Sequence, residues 1–328
     1  MTILLEEFIN NKIPKHLVLG VNGQDGSYLA ETLLARGANV VGVGKQPNSV
    51  WVKPHPNYSY QKLNLEDIQE YITYLELARP DYLYHLAAIH GPAGFDYKAK
   101  WIEAHTINTL VVQASLEHFR NENPHGKFIY ASSSKVFDLN ASKVISELTK
   151  RESNCIYTIT KNSATELIHL YRKNYNINSS IFWLFNHESV RRKDSYFIPK
   201  VVNTLKKSLE DSKHIAELGD LDFWCDWGDA SEYMEIICDI AKKNLNEDFI
   251  LGTGQVINAA NYVGKFFSLY GANPAQTIRD WKELKHGEFS PPWKLDLTKL
   301  QHVAGRTPQK DIYEISFQIL KTKMLKKA

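Results

Sequence analysis

The first half of the chain alternates short apolar runs with longer segments of helical periodicity. Runs typical of strands buried on both faces lie at 16–20, 39–43, 82–88, 127–132 and 179–185. Segments of helix length lie between them, at 26–36, 66–79, 101–120 and 157–174. Because parallel strands need crossovers and are covered on both faces by helices, this alternation predicts an α/β fold with a Rossmann-type, doubly wound parallel sheet.

Beyond residue 186 the alternation gives way to irregular segments and isolated helices. Helices are expected at about 195–210, 229–243, 258–270 and 310–324, and FILGT at 249–253 is typical of a returning strand. We therefore expect a Rossmann domain over 1–185 and a smaller, mixed C-terminal lobe over 186–328 that binds the substrate. Segments near 229–258 are candidates to return to the sheet.

Composition and charge exclude several classes of function. Lys and Arg total 39 and Asp and Glu total 37, so a net charge of +2 provides no general field for nucleic acid or an anionic membrane. The cysteines Cys155, Cys225 and Cys238 show no C-x-x-C spacing, which argues against a disulfide framework and a zinc site, and no metal is expected. A reducing compartment fits this cysteine usage.

The N-terminal segment does not resemble a secretory signal, because Glu6 and Glu7 interrupt its apolar stretch. It is predicted to form a short helix instead. No window reaches the roughly 18 to 20 continuous apolar residues that a membrane span needs. These observations favour a cytoplasmic protein with no membrane partner.

A glycine-rich turn follows the first strand. Gly20, Gly23 and Gly26 are spaced by two residues and lead into the helical pattern YLAETLLARG. Such glycines allow a tight turn, let backbone N–H groups approach a pyrophosphate and bring helix and strand close together. The turn predicts a dinucleotide site.

The choice between NAD and NADP stays open. The second strand ends in Val43-Gly44-Lys45-Gln46, without the acidic residue that binds the NAD ribose, and Lys45 is a candidate for a 2′-phosphate. Asn64 and Leu65, after the third strand, are expected at the adenine. The loop beginning at Ala87 and Ala88 is expected along the pyrophosphate and the nicotinamide ribose.

A serine, a tyrosine and a lysine form the candidate catalytic set. The fifth strand leads into Ser132-Ser133-Ser134, and Tyr157 and Lys161 then lie one helical turn apart. The ammonium can lower the pKa of the phenol and hold the nicotinamide ribose, while the serine hydroxyl orients the reacting alcohol. This arrangement predicts a dehydrogenase-type active site.

At these motifs the chain resembles the extended short-chain dehydrogenase/reductases that act on nucleotide sugars, specifically the GDP-mannose 4,6-dehydratase group. The resemblance covers nearly the whole chain. It is carried by GVNGQDGSYLAETLLARG, ARPDYLYHLAA, YASSSKVF, YTITK, LFNHESVRR and LGDLDFWCDWGDASEYME.

The resemblance implies roles for individual residues. It places Ser133 at the position of the catalytic Thr, makes Tyr157 the catalytic acid and base, and assigns Lys161 to the cofactor. With His187 and Arg192 added by the resemblance, the candidate cofactor-binding residues are Gly20, Asn22, Gly23, Gln24, Asp25, Gly26, Lys45, Asn64, Leu65, Leu86, Ala87, Ala88, His90, Tyr157, Lys161, His187 and Arg192. With Asn186, Lys200 and Asp226 added by the resemblance, the candidate substrate-binding residues are Ser133, Ser134, Asn186, Arg191, Lys200, Leu218 and Asp226.

The chain departs from the family at the active-site mouth. Lys135 stands where the family has a Glu that takes the C5 proton and helps to expel the C6 hydroxyl. A protonated lysine cannot act as a base, and the neutral amine is available at neutral pH only if burial strongly lowers the pKa of the lysine. Cys225 replaces a phosphate-binding Arg, Asp138 replaces a Gly, and the loop Ile89-His90-Gly91-Pro92 replaces a polar one. His90 is a candidate substitute acid or base, with a structural role as the alternative.

These departures favour a redox enzyme acting at C4 of a GDP-linked hexose or heptose, as a 4-dehydrogenase or an epimerase in surface-polysaccharide sugar synthesis. A 4,6-dehydratase is the second hypothesis. An inactive homologue that only binds the nucleotide sugar is the third. The resemblance also implies a homodimer or a homotetramer.

Overall fold

The structure is a computed structural model. It describes residues 13–92, 94–139, 142–211, 213–243, 245–279, 281 and 291–325. The helix predicted for the first residues lies outside this part of the chain. No helix among the described residues is long and apolar enough to cross a membrane.

Twelve strands lie in the described residues. They are β1 (Lys15–Leu19), β2 (Asn39–Gly44), β3 (Tyr58–Lys62), β4 (Tyr82–His85), β5 (Lys127–Ser133), β6 (Val144–Ile145), β7 (Asn178–Leu184), β8 (Asn186–Glu188), β9 (Trp224–Asp229), β10 (Asp248–Leu251), β11 (Val256–Asn258) and β12 (Lys294–Leu295). Seven of them form one parallel sheet in the order β3-β2-β1-β4-β5-β7-β10. The predicted Rossmann-type sheet is confirmed.

Eleven α-helices connect and cover these strands in the described ranges. They are α1 (Gln24–Ala35), α2 (Ile68–Ala78), α3 (Trp101–His105), α4 (Val111–Asn121), α5 (Ile156–Tyr175), α6 (Phe197–Glu210), α7 (Ala230–Ala241), α8 (Ala259–Ser268), α9 (Pro274–Thr277), α10 (Thr298–Ala304) and α11 (Ile312–Leu325). Helices α2, α4 and α5 bury their apolar faces on one side of the sheet, and α1 and α7 do so on the other.

Alternate residues of the central strands supply these two cores. Leu17 and Leu19 of β1 face one cluster, whereas Val18 faces the other. A strand with apolar side chains on both faces gives the continuous apolar run seen in the sequence. The strand pattern could therefore be predicted without tertiary information.

The smaller lobe has its own mixed sheet and core. Its sheet has the order β11-β9-β8, with β11 antiparallel and β8 parallel to β9. Its apolar cluster includes Trp227, Tyr262 and Phe266. The strand β10, which comes after β9 in the chain, pairs with β7 in the large sheet. The division into domains at 185 stays a prediction.

Two elements differ from the sequence-based expectation. The fourth strand ends at His85 rather than continuing to residue 88, because the chain leaves the sheet there and runs over its carboxyl edge. The helix expected over 101–120 is divided by a π-helical segment, Thr106–Leu110, which buries Asn108 completely. This polar insertion cannot be predicted from apolar periodicity.

Candidate active site

A cavity of about 510 Å³ lies at the carboxyl edge of the large sheet, beside the smaller lobe. This is where open parallel sheets bind their ligands. The candidate residues that line it are Asn22, Gly23, Gln24, Asp25, Leu86, Ala88, His90, Ser133, Lys135, Tyr157, Lys161, Asn186, His187, Arg191 and Arg192. The structure thus brings most of the candidate cofactor and catalytic residues to one site.

The glycine turn is built without room for side chains. Gly20 has a φ of 85°, and a Cβ there would lie 2.8 Å from the backbone nitrogen of Ala87. A Cβ on Gly26 would lie only 2.3 Å from the carbonyl oxygen of Gly20. Gly23 precedes α1 and provides no side-chain cap for the first N–H groups of the helix. The helix end is therefore shaped for an anion supplied by a ligand.

The segment after β2 folds onto the glycine turn. The amide of Asn22 donates to Gln46 Oε1 and to the carbonyl of Asn48, both at 3.0 Å, and its oxygen accepts from the N–H of Val50 at 2.9 Å. Lys45 is exposed and is not among the lining residues.

Asp25 and His187 join the glycine turn to the smaller lobe. The imidazole Nε2 lies 3.0 Å from Asp25 Oδ1, and Nδ1 lies 2.7 Å from the carbonyl of Phe185. Burial opposes ionisation of the carboxyl, but His187 outweighs it and lowers the pKa of Asp25 strongly. Burial likewise lowers the pKa of His187, but Asp25 reverses the shift and raises it overall. The two groups form a buried ion pair.

Gln24 makes a second link between the glycine turn and the smaller lobe. Its amide donates to the carbonyl of His187 at 3.2 Å, and its oxygen accepts from the hydroxyl of Ser189 at 2.8 Å. The first turn of α1 is therefore fixed by the residues that follow β7.

Ser133, Tyr157 and Lys161 converge on the floor of the cavity. Tyr157 is 5% exposed and Lys161 is 3% exposed. The Lys161 ammonium donates to the carbonyl of Ala131 at 2.8 Å and lies 5.8 Å from the centroid of the Tyr157 ring. Tyr157 shares a side-chain hydrogen bond with Ser133. The predicted catalytic set is assembled, with its lysine next to its tyrosine.

Burial governs the proton affinities of this set. It raises the pKa of Tyr157, and the hydrogen bond from Ser133 only partly offsets the rise. Burial also lowers the pKa of Lys161 to about 7, against a smaller opposing effect of Asp25. The sequence predicted that the ammonium would lower the pKa of the phenol, and this lowering is not found, because desolvation dominates both groups.

Lys135 lies at the mouth of the same cavity. Its backbone N–H donates to Ser133 Oγ at 3.2 Å, which places it directly beside the candidate catalytic serine. Burial lowers the pKa of Lys135, Cys155 opposes the shift, and Arg192 adds to it. This shift moves the amine toward the neutral form that a base requires.

The two arginines of the LFNHESVRR motif have different surroundings. Arg191 donates to both carboxylate oxygens of Glu31, at 2.8 and 2.7 Å, and its guanidinium lies 4.0 Å from the ring centroid of Tyr28. Arg192 pairs with Glu188 at 3.3 Å. Arg191, expected at the substrate, is thus held against α1 while it lines the cavity, and its role stays a prediction.

Several candidate residues do not line the cavity. They are Gly20, Gly26, Lys45, Asn64, Leu65, Ala87, Ser134, Lys200, Leu218 and Asp226. The Asp226 carboxylate accepts from the N–H groups of Thr253 and Gly254, at 2.9 and 2.7 Å. Burial raises its pKa to about 6, although these hydrogen bonds oppose the rise. Asp226 therefore holds a turn of the smaller lobe.

The structure adds residues that sequence reasoning missed. Asn108 accepts from the N–H of Ile89 and donates to Thr160 Oγ1, both at 3.0 Å, and so joins the loop after β4 to the catalytic helix α5. Tyr196 and Trp51 line the cavity as well. A polar residue inside an apolar helical stripe was the available signal for Asn108. Nothing local marks the two aromatic residues.

Comparison with known proteins identifies relatives over most of the chain. Residues 17–297 match the family model described as GDP-mannose 4,6 dehydratase. The chain is 29% identical to GDP-mannose 4,6 dehydratase 2 of Caenorhabditis elegans, over 81% of this chain and 73% of the relative. It is 28% identical to a GDP-mannose 4,6-dehydratase of Vibrio cholerae, over 76% of this chain and 70% of the relative.

Solved structures share the fold. The dTDP-glucose 4,6-dehydratase of Bacillus anthracis, solved with NAD, superposes with a TM-score of 0.77 at 18% identity, covering 95% of this chain and 97% of that one. The UDP-glucuronic acid 4-epimerase of Bacillus cereus, also solved with NAD, gives 0.73 at 22% identity, covering 94% and 99%. Because the family model spans most of the chain, this protein belongs to the GDP-mannose 4,6 dehydratase family of extended short-chain enzymes.

Proposed function

We propose that this protein oxidises C4 of a GDP-linked hexose with a nicotinamide dinucleotide, NAD or NADP, and completes a 4,6-dehydration. The observation that carries the proposal is the convergence of Ser133, Tyr157 and Lys161 beside the glycine turn. The family model and the relatives named as dehydratases favour this reaction over the C4 dehydrogenase or epimerase that the sequence analysis preferred.

The residues present fit a dinucleotide. Gly20 and Gly26 let the backbone of the turn pack too closely for a Cβ, and this close-packed turn, the cradle, leads to the uncapped start of α1, where Gly23 lines the cavity. Among the described residues, the buried hydroxyl of Ser132 has no hydrogen-bond partner, although it lines the same cavity. A bound nicotinamide dinucleotide supplies the acceptor for a hydride. The glycine turn would hold its pyrophosphate and Lys161 its nicotinamide ribose.

The chain's own groups account for the oxidation at C4. Tyr157 takes the proton of the C4 hydroxyl while the hydride leaves C4. Ser133 orients that hydroxyl through the same oxygen network that holds Tyr157. Lys161, whose Nζ lies 5.8 Å from the centroid of the Tyr157 ring, supplies a positive charge near the phenolate that forms when its amine is protonated.

Dehydration then requires a base at C5 and an acid at C6. The C5 proton and the C6 hydroxyl leave together as water, the hydride removed from C4 is returned to C6, and a proton is returned to C5. The sugar therefore loses one water with no net oxidation. Lys135 stands beside Ser133 where the family has a Glu, and burial lowers the pKa of its amine, which makes it the candidate to take the C5 proton.

A C4 dehydrogenase or epimerase is the second candidate. Asp25 is the carboxylate among the described residues lining the cavity, and it is already paired with His187. Because position 135 carries no carboxylate to take the C5 proton, the reaction would stop at the 4-keto sugar or return the hydride to the opposite face of C4.

The mass of the product separates these functions. The purified protein is incubated with GDP-mannose and either NAD or NADP, with Tyr157→Phe as the inactive control. Loss of one water supports 4,6-dehydration. Loss of two hydrogens, or an unchanged mass with altered stereochemistry, supports the second candidate. If the protein alters none of the GDP-, UDP- and dTDP-linked sugars, the result supports the third hypothesis, an inactive homologue that only binds the nucleotide sugar.

Self-association stays a prediction. Helices α3 and α5 expose Trp101, Ile102 and Leu170 at 55, 58 and 49%. Side chains of this kind on helices that flank the sheet are suitable for contact with a second copy. Light scattering after size exclusion measures whether the protein is a homodimer or a homotetramer.

A further inference from the structure

Three aromatic side chains pack around His90 in the candidate active site. Its ring lies 4.6 Å from the ring centroid of Tyr157, and Tyr97 and Tyr196 follow at 6.3 and 6.2 Å. His90 lines the cavity together with Lys135 and the catalytic residues. The mechanism described above does not use it.

Tyr97 fixes the orientation of the His90 ring. Its hydroxyl oxygen lies 2.6 Å from His90 Nδ1, and it also shares a hydrogen bond with the backbone of Gly91. The backbone N–H can only donate, so the phenolic oxygen accepts from Gly91. With one lone pair engaged by Gly91, the phenol directs its proton at Nδ1 when Nδ1 is the unprotonated nitrogen, and this is the tautomer that the inference adopts.

Both groups keep the protonation states that this arrangement needs. Burial raises the pKa of Tyr97 to about 12, so the phenol keeps its proton at neutral pH. Burial, with the nearby cations Lys135, Arg192 and Lys161, lowers the pKa of His90 to about 3. A neutral imidazole whose Nδ1 accepts must carry its proton on Nε2.

The loop is packed to hold Tyr97 in this position. A Cβ on Gly91 would lie 2.1 Å from the ring of Phe95, so that ring covers the glycine. Phe95 meets Tyr97 edge to face with ring centroids 4.8 Å apart. The aromatic stack therefore continues from the loop to the catalytic tyrosine.

We propose that His90 presents its Nε2–H to a hydroxyl oxygen of the bound sugar, next to the alcohol that reacts with Tyr157, and thereby orients and selects that sugar. This inference rests on the proposed function. The position favours the sugar over the cofactor, because the His90 ring packs against Tyr157, which takes the proton of the sugar alcohol, and against Tyr196, which follows β8, with Lys135 at the mouth nearby. A sugar hydroxyl is also the natural acceptor for a neutral donor in a site crowded with cations.

The tautomer can be measured without a substrate. Nitrogen-15 NMR of the imidazole side chains distinguishes Nε2–H from Nδ1–H, and His90→Asn identifies the signal among the twelve histidines. We expect Nε2–H in the wild type and a mixture of tautomers in Tyr97→Phe. A His90 signal from the Nδ1–H form in the wild type overturns the inference.

Two nearly matched variants test the contact with the sugar. The amide nitrogen of Gln can replace the Nε2 donor, whereas that of Asn corresponds to Nδ1. We expect His90→Gln to keep kcat/KM within about twofold of the wild type and His90→Asn to lower it roughly tenfold, the effect of one hydrogen bond. The penalty in His90→Asn should disappear with the sugar analogue that lacks the contacted hydroxyl.

The possible results separate this inference from the proposed function. If both variants turn over GDP-mannose like the wild type while Tyr157→Phe does not, the inference fails and the proposed function stands. If His90→Asn weakens the binding of NAD or NADP in the absence of sugar, His90 faces the cofactor and the inference fails. If calorimetry detects no binding of any nucleotide sugar by the wild type, both fail.

Discussion

Replacing Gly26 by alanine tests the dinucleotide cradle on which the proposed function depends. The new Cβ would lie 2.3 Å from the carbonyl oxygen of Gly20 and 2.7 Å from the Cα of Val21. Since these are backbone atoms, α1 must withdraw by roughly 1 Å, and such overpacking lowers the free energy of unfolding by about 1–3 kcal/mol. Losing two N–H contacts to the pyrophosphate, at about 1 kcal/mol each, weakens dinucleotide binding roughly 30-fold.

Calorimetry with NAD and NADP, combined with urea unfolding, measures both effects. Gly37→Ala is the matched control at the other end of the same helix. Gly37 has a φ of 80°, and a Cβ added there would have no atom within 4 Å, so alanine costs only about 1–2 kcal/mol of backbone strain and leaves binding unchanged. A Gly26→Ala protein that binds the dinucleotide like the wild type would refute the assignment of the cradle.

Three further substitutions test the catalytic set. Tyr157→Phe should lower turnover about 10²- to 10⁴-fold with the dinucleotide Kd unchanged, because the variant loses the proton acceptor but keeps the ring that packs against His90. Nicotinamide absorbance measures the turnover, and a wild-type rate in the variant would contradict the prediction. Relative to Lys161→Met, the wild-type free energy of unfolding should rise by roughly 1.4 kcal/mol per pH unit between about pH 7 and 10, because the pKa of Lys161 is about 7 when folded and near 10.5 when unfolded. Parallel pH curves in urea unfolding would show that folding does not lower the pKa of Lys161. Lys135→Met should slow water loss at least about 100-fold but keep C4 oxidation, whereas Lys135→Glu keeps both; mass analysis of the product decides, and water loss at the wild-type rate in Lys135→Met would remove Lys135 from the mechanism.

The sheet and the cofactor turn could be predicted from the sequence because both signals are local. A buried parallel strand is a continuous apolar run, as at Leu17–Leu19, and the glycine turn needs only the spacing of Gly20, Gly23 and Gly26. The helical spacing of Tyr157 and Lys161 likewise brought the catalytic pair together on α5.

The rest depended on contacts between distant parts of the chain. The ion pair of Arg191 could not be predicted, because its partner Glu31 lies 160 residues earlier in the chain. The hydrogen bond of the Asp226 carboxylate to Thr253 likewise joins separate segments. The predicted effect of Lys161 on the phenol failed because burial, which no spacing reveals, outweighs the neighbouring charge.

The seam between α1 and the residues after β7 limits how this protein can be recombined with its relatives. Four links cross it, Asp25 to His187, Gln24 to His187, Gln24 to Ser189 and Glu31 to Arg191. A chimera that exchanges the smaller lobe at residue 185 would cut all four at once and place unmatched charges on both halves. Successful grafts of a new sugar specificity should therefore carry residues 24–31 together with 187–191 from the same parent.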